Sequence, residues 1–158
     1  MTGIDASEKA VAVAKQHTQA MNLKINYQLL ESEGLLKKKK KFDAVLSLEV
    51  VEHVANLQDF LSECSELIKP EGALILSTLN KTWKAWALGV MIAENILKWA
   101  PKGAHDWNKF VTLQELSARL REEGLETLAV EGINYCPIQG WKLGSNIDIN
   151  YILYGKKN

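Results

Sequence analysis

Glu49, Glu52 and His53 are the residues whose types and spacing most invite chemistry. On a helical turn, residues three and four apart share a face, so two carboxylates and an imidazole would fall together. Such a trio could ligate a divalent cation, and its oxygen donors favour magnesium or manganese, with zinc a further option. His105 lies in Lys102-Gly103-Ala104-His105-Asp106-Trp107. An imidazole there could take a proton near neutral pH, with Asp106 raising its basicity, or could simply be bonded within its loop. Asp5 follows a short apolar run and precedes a helical pattern. An acidic residue so placed either accepts hydrogen bonds from ribose hydroxyls or caps the helix.

The elements that must position these groups are legible in the pattern. Ser7 is an N-cap, and Ala10, Val11, Val13 and Ala14 begin the apolar face of a helix running to about Met21. Lys24 to Leu30 alternates as a strand, with Glu31 and Ser32 at its end. A run of lysines, Lys37 to Lys41, separates it from Phe42 to Leu48, which suits a strand buried on both faces. Ser47 and Leu48 end that strand, at the carboxyl edge where open α/β sheets bind ligands. An amphipathic helix from Asn56 or Leu57 to Ile68 puts Leu57, Phe60, Leu61, Cys64 and Leu67 on one side. Lys69-Pro70-Glu71-Gly72 then turns into a strand from Ala73 to Leu79. An apolar segment from Trp83 to Ala100 closes at Pro101-Lys102-Gly103. A charged helix, Leu113 to Glu122, turns Leu116 and Leu120 inward and stops at Gly124. Thr127 to Tyr135 and Ile147 to Leu153 are the last strand candidates. The order implies an α/β fold of Rossmann-like type, mostly parallel, with an antiparallel edge strand.

Bulk properties narrow the function classes. The chain has 158 residues, 47% hydrophobic and 24% charged, which suits one folded domain. Its net charge is zero, against the clustered positive charge that nucleic-acid binding needs. Cys64 and Cys136 have no CxxC spacing and read as reduced thiols in or near the core. No secretion signal opens the chain, and no apolar stretch reaches the roughly 20 residues that span a bilayer.

Several motifs together resemble one family. Lys69-Pro70-Glu71-Gly72-Ala73 with the strand after it, and Phe42-Asp43-Ala44-Val45 through Glu52-His53-Val54, resemble the fifth and fourth strands of class I S-adenosylmethionine-dependent methyltransferases. More specific are Ser77-Thr78-Leu79-Asn80-Lys81-Thr82, Pro101 to Trp107, Asn134-Tyr135-Cys136-Pro137 and Asn150-Tyr151. That set is similar to the ubiquinone-biosynthesis O-methyltransferases and covers essentially the whole chain. The resemblance implies S-adenosylmethionine as methyl donor and a ring hydroxyl of a polyprenylated catechol or quinol as acceptor. It implies cofactor contacts from Asp5, Glu31, Ser32, Ser47 and Leu48, and favours the metal reading of Glu49, Glu52 and His53, with magnesium foremost. Glu-His-Val also recurs in metal-free methyltransferases, where it shapes the start of a helix. The first strand and glycine-rich loop of such folds are expected before Met1, making residues 1–158 a partial domain with a tryptophan-rich insertion at about 81–107.

Trp83, Trp86 and Trp99, with Lys81, Lys84, Lys98 and Lys102 around them, have the composition of an interfacial helix. A polyprenyl substrate is dissolved in lipid, so peripheral membrane contact through 81–102 is expected. The alternative is a lid packed on its own domain. The cytoplasmic face of the bacterial inner membrane is the expected location, or the matrix side of the mitochondrial inner membrane. A ubiquinone-biosynthesis complex is an expected partner. A competing function is a non-catalytic, membrane-associated methyltransferase remnant that acts as a scaffold. A third is a methyltransferase acting on another small aromatic.

Overall fold

The computed structural model describes residues 1–86, 109–136 and 138–158. It divides into two compact units, Met1–Lys40 and Lys41–Asn158, each with its own sheet.

In the first unit, β1 (Thr2–Asp5) and β2 (Asn26–Leu29) pair in parallel, with α1 (Glu8–Ala20) as the crossover against them. Ser7 Oγ accepts from Ala10 N at 3.3 Å, so the helix starts at the cap its sequence carries. Asn22, with φ of 52°, turns the chain out of the helix. The short α2 (Ser32–Lys37) was not foreseen from the sequence. Glu33 and Lys37, one turn apart at 2.9 Å, support it only weakly, because both are exposed and solvent screens the pair. Glu31 and Ser32 therefore open a helix rather than end a strand, since β2 stops at Leu29.

The second unit contains β3 (Phe42–Leu48), a 3-10 turn (Val51–His53), α3 (Leu57–Leu67), β4 (Ile68–Leu79), α4 (Trp83–Ala85), α5 (Leu113–Glu122), β5 (Leu125–Cys136), β6 (Gly140–Gly144) and β7 (Asn150–Lys157). The sheet order is β3-β4-β7-β5-β6. The β3–β4 pair is parallel, while β7 is antiparallel to both β4 and β5. So β3, β4 and β5 run the same way, while β7 between them and β6 at the edge run against them, β6 being the expected antiparallel edge strand. The edge belongs to β6, which the sequence reading did not separate from its surroundings.

Helices α3 and α5 cover one face of this sheet. Leu61, Cys64, Leu116 and Leu120 from the helices meet Leu74 and Leu153 from the strands in one buried cluster. Asn56 caps α3, its Oδ1 accepting from Gln58 N at 3.0 Å. At the other end two ammonium groups satisfy helix carbonyls: Lys41 donates to Glu66 O, and Lys157 donates to Ser65 O at 2.5 Å. Strand β3 is not buried on both faces as its apolar run suggests. Ser47 is its one buried residue, and Leu46 and Leu48 are 58% and 51% exposed. An unbroken apolar run marks a strand, but the number of layers around it is set elsewhere; here β3 is an edge strand with Val45 turned to the helix side. Strand β4 begins directly after α3, and its register jumps from Phe42↔Ile68 to Ala44↔Ala73, so the expected turn at 69–72 is a bulge within the strand.

Burial holds two acidic protons in this core. The Cys64 thiol is pushed up to about 12, chiefly by burial with Glu63 adding to it, and the Tyr151 phenol is raised by burial and then by the charge of Glu52. In the unfolded chain these groups ionise near 8.5 and 10. Between those values and the folded ones the unfolded state holds fewer protons, so stability falls as pH rises above about 8.5. The urea midpoint is expected to drop progressively from pH 8 to 10.5. At pH 8 a thiol reagent should modify half-buried Cys136 promptly and Cys64 only on unfolding; equally fast labelling of both would contradict this packing.

Candidate functional site

The carboxyl ends of β3 and β4 carry the groups that the sequence singles out. Glu49 leaves β3 with φ of 54° and is tied to the neighbouring strand end. Its N–H donates to Ser77 O at 3.0 Å, and Ser77 Oγ donates to its Oε1 at 2.8 Å. The chain then makes a 3-10 turn in which Val51 enters the core and Glu52 is buried, 2% exposed. Thr78 Oγ1 donates to Glu52 Oε2 at 2.9 Å, while Oε1 has no hydrogen-bond partner. His53 is exposed.

This geometry separates the expected metal ligands. Ser77 and Thr78 are consecutive in β4, and successive strand side chains point to opposite faces. The Glu49 and Glu52 carboxylates are thus held at opposite faces of that strand end. Glu52 and His53 are neighbours on a three-residue-per-turn helix, so they diverge by about 120°. The α-helical turn that would have put all three on one face is replaced by a left-handed residue and a 3-10 turn. Among the described residues no group of three or more His, Cys, Asp or Glu side chains lies together to hold a metal ion. The donor set of Glu49, Glu52 and His53 does not fit a shared cation in this arrangement.

The other expected site residues lie as follows. Asp5 is exposed at the carboxyl end of β1, and its Oδ1 accepts from Ser7 N at 2.7 Å, so it caps the chain entering α1. Glu31 is exposed and Ser32 half-buried at the start of α2. Leu48 is exposed at the end of β3, and Ser47 beside it buries a hydroxyl with no hydrogen-bond partner. His105, Trp99, Lys98 and Lys102 lie outside the described residues, as does most of the 81–107 insertion. Its start is described: Thr82 caps α4, Lys84 pairs with Asp148 at 2.5 Å, and Trp83 and Trp86 are 72% and 43% exposed. Sequence reasoning gave Ser77 and Thr78 no role. Two hydroxyls closing a strand of apolar residues were the available signal.

The family model described as a methyltransferase domain matches residues 1–76. The chain is 44% identical over 158 residues to a ubiquinone biosynthesis O-methyltransferase of Paramagnetospirillum magneticum and 40% identical over 158 to one of Bartonella quintana. Over its first 76 residues the chain is similar to the methyltransferase domain family. It spans 63% and 64% of those two relatives while 99% of it is aligned to each. A mitochondrial ubiquinone biosynthesis O-methyltransferase of Arabidopsis thaliana is 44% identical over 160 residues, with 99% of this chain and 50% of that protein covered. The fold is that of the class I methyltransferases. Magnesium protoporphyrin IX methyltransferase from Synechocystis, solved with bound SAH, superposes with a TM-score of 0.69 at 20% identity, covering 99% of this chain and 64% of that one. A SAM-dependent methyltransferase from Methanosarcina mazei gives 0.68 at 16% identity, covering 99% and 81%.

In this arrangement Glu52 braces the strand ends from within, and Thr78 is the hydroxyl that satisfies its Oε2. Thr78→Val keeps the shape and removes the donor, so it should destabilise the chain by about 1–3 kcal/mol, the usual cost of stranding a buried acceptor. Urea unfolding measures this; a change within about 0.5 kcal/mol would show that Glu52 does not depend on Thr78.

Proposed function

We propose that this chain is part of an O-methyltransferase that methylates a ring hydroxyl of a polyprenylated catechol or quinol in ubiquinone biosynthesis. The observation that carries the proposal is its identity of 40–44%, across nearly all of its length, to proteins named ubiquinone biosynthesis O-methyltransferase. S-adenosylmethionine supplies, when bound, a methyl group on a sulfonium centre that an oxygen nucleophile can attack. Asp5 accepts hydrogen bonds from the ribose hydroxyls, Glu31 and Ser32 lie towards the adenine, and Leu48 packs on the adenosyl surface with Ser47 beside it. His105 takes the proton of the ring hydroxyl as that oxygen bonds the methyl carbon and the carbon–sulfur bond breaks. S-adenosylhomocysteine and the methyl ether leave, and the proton passes from His105 to solvent.

Glu49, Glu52 and His53 do not form one cation site in this arrangement. For Glu49, Glu52 and His53 to share a cation, Glu49 would have to leave Ser77 and turn to the face of β4 that Glu52 occupies. The polyprenyl tail of the acceptor favours peripheral membrane contact through 81–102, at the cytoplasmic face of a bacterial inner membrane or the matrix face of a mitochondrial one. The exposed Trp83 and Trp86 support that contact. Among the described residues no helix is long and apolar enough to cross a membrane. Assembly with other enzymes of ubiquinone biosynthesis would pass the lipid-bound intermediate along.

Calorimetric titration of S-adenosylhomocysteine, into this chain and into a form extended to the length of its relatives, tests the cofactor part. Saturable binding is expected from the extended form. Asp5→Asn, which keeps an acceptor for Ser7 N, should weaken binding roughly tenfold, the share of a charge-assisted hydrogen bond. Silence from both forms would sink the enzyme reading and leave the scaffold in its place.

A further inference from the structure

The hairpin of β5 and β6 carries an apolar side in the open. Tyr135 pairs with Trp141 and Ile133 with Leu143, and directly paired residues share a face. Tyr135 is 61% exposed, Trp141 68% and Leu143 59%, and Ile138 at the tip is 93% exposed. The two rings lie 5.1 Å apart at a tilt of 57°, so the aromatic pair is a formed surface feature. The opposite face is Gly132, Asn134, Lys142 and Gly144. This ribbon is amphipathic, with its apolar side outside the two buried clusters.

Its placement is fixed from below. A Cβ on Gly132 would stand 1.7 Å from the Asn146 carbonyl oxygen, a closeness that only glycine allows. Asn150 Oδ1 accepts from Ile133 N at 3.1 Å. The loop that presses on Gly132 also holds the start of α4: Asn80 Nδ2 donates to Ile147 O at 2.9 Å, and Lys84 pairs with Asp148. Exposed Trp83 and Trp86 and the exposed hairpin thus share one support.

Charge decides what these surfaces meet. The chain balances 19 basic residues with 19 acidic ones, yet no Asp or Glu falls between Glu71 and Glu94 or between Glu131 and Asp148. Those two stretches hold Lys81, Lys84 and Lys142. Pairing with a second copy along the edge is disfavoured, because β6 is five residues long, bounded by glycines, with Lys142 at its centre. Aromatic rings with polar handles, flanked by Lys81 and Lys142 while Asp148 is paired with Lys84, suit the headgroup layer of an anionic bilayer.

We infer that the β5–β6 hairpin is a membrane-contact element, seating Tyr135, Ile138, Trp141 and Leu143 in the interfacial layer of an anionic bilayer. It rests on the reading of a lipid-dissolved substrate and adds a contact outside 81–102. The test is co-sedimentation of the full chain with phosphatidylcholine vesicles, with and without phosphatidylglycerol. The wild-type chain should bind the anionic vesicles, and the double variant Trp141→Ser, Leu143→Ser should bind them at least roughly tenfold more weakly, with an unchanged thermal transition. In a chain with Trp83, Trp86, Trp99 and Trp107 replaced by Phe, brominated lipid should quench Trp141. Wild-type binding with an undiminished double variant and unquenched Trp141 would overturn the hairpin contact and leave docking through 81–102 standing. Absence of vesicle binding by the wild-type chain would overturn both. Light scattering that shows a wild-type dimer and a monomeric double variant would assign the face to a second copy and overturn the inference too.

Discussion

The pairing of β7 between β4 and β5 is the constraint on which the larger unit depends. Its backbone is hydrogen-bonded on both sides, from Ala73↔Lys156 to Leu79↔Asn150 and from Leu125↔Lys157 to Glu131↔Ile152. Leu153 and Tyr151 enter the core that α3 and α5 cover, and both are fully buried. The strand comes last in the chain, so the parallel strands on either side of it are joined only when distant residues meet. Such non-local pairing makes the sheet a cooperative whole rather than a row of local hairpins.

The beginning of β7 also organises the strand ends where the candidate site lies. Tyr151 stands opposite Thr78, and Thr78 is the donor to Glu52 on the 3-10 turn. Tyr151 Oη donates to Val111 O at 3.1 Å, fixing the segment that enters α5. Asn150 beside it accepts from Ile133 and steadies the base of the β5–β6 hairpin. Three surface features, the turn after β3, the entry to α5 and the aromatic hairpin, are therefore referred to two adjacent residues. A buried polar group is costly unless paired, so each of these bonds specifies position as well as contributing energy.

Much of this was legible in the sequence, where local physics decides. Helices α3 and α5 carry caps at Asn56 and Thr112 and an apolar stripe at helical spacing, and they form where that pattern predicts. Asp5 and Leu48 were placed at strand ends because an apolar run followed by a polar break has few other meanings. The rest turned on information that a local pattern does not hold. The sequence offers a strand at Ile147 to Leu153 but says nothing of its neighbours, so the reversed place of β7 inside the sheet came only with the structure. An apolar run could not show that β3 is exposed on one face. Glu49, Glu52 and His53 looked like one face of a helix because their spacing fits 3.6 residues per turn; one left-handed residue and a 3-10 turn undo that, and neither has a strong sequence signature.

The proposed activity is transfer of a methyl group to a phenolic oxygen. The most direct measurement supplies S-adenosylmethionine with a trideuterated methyl group, together with a short-chain prenylated catechol, to the form extended to its relatives' length. The account predicts a methyl ether that carries all three deuterons on a ring oxygen, formed in step with S-adenosylhomocysteine. Intact catechol, alongside demonstrated binding of S-adenosylhomocysteine, would contradict it.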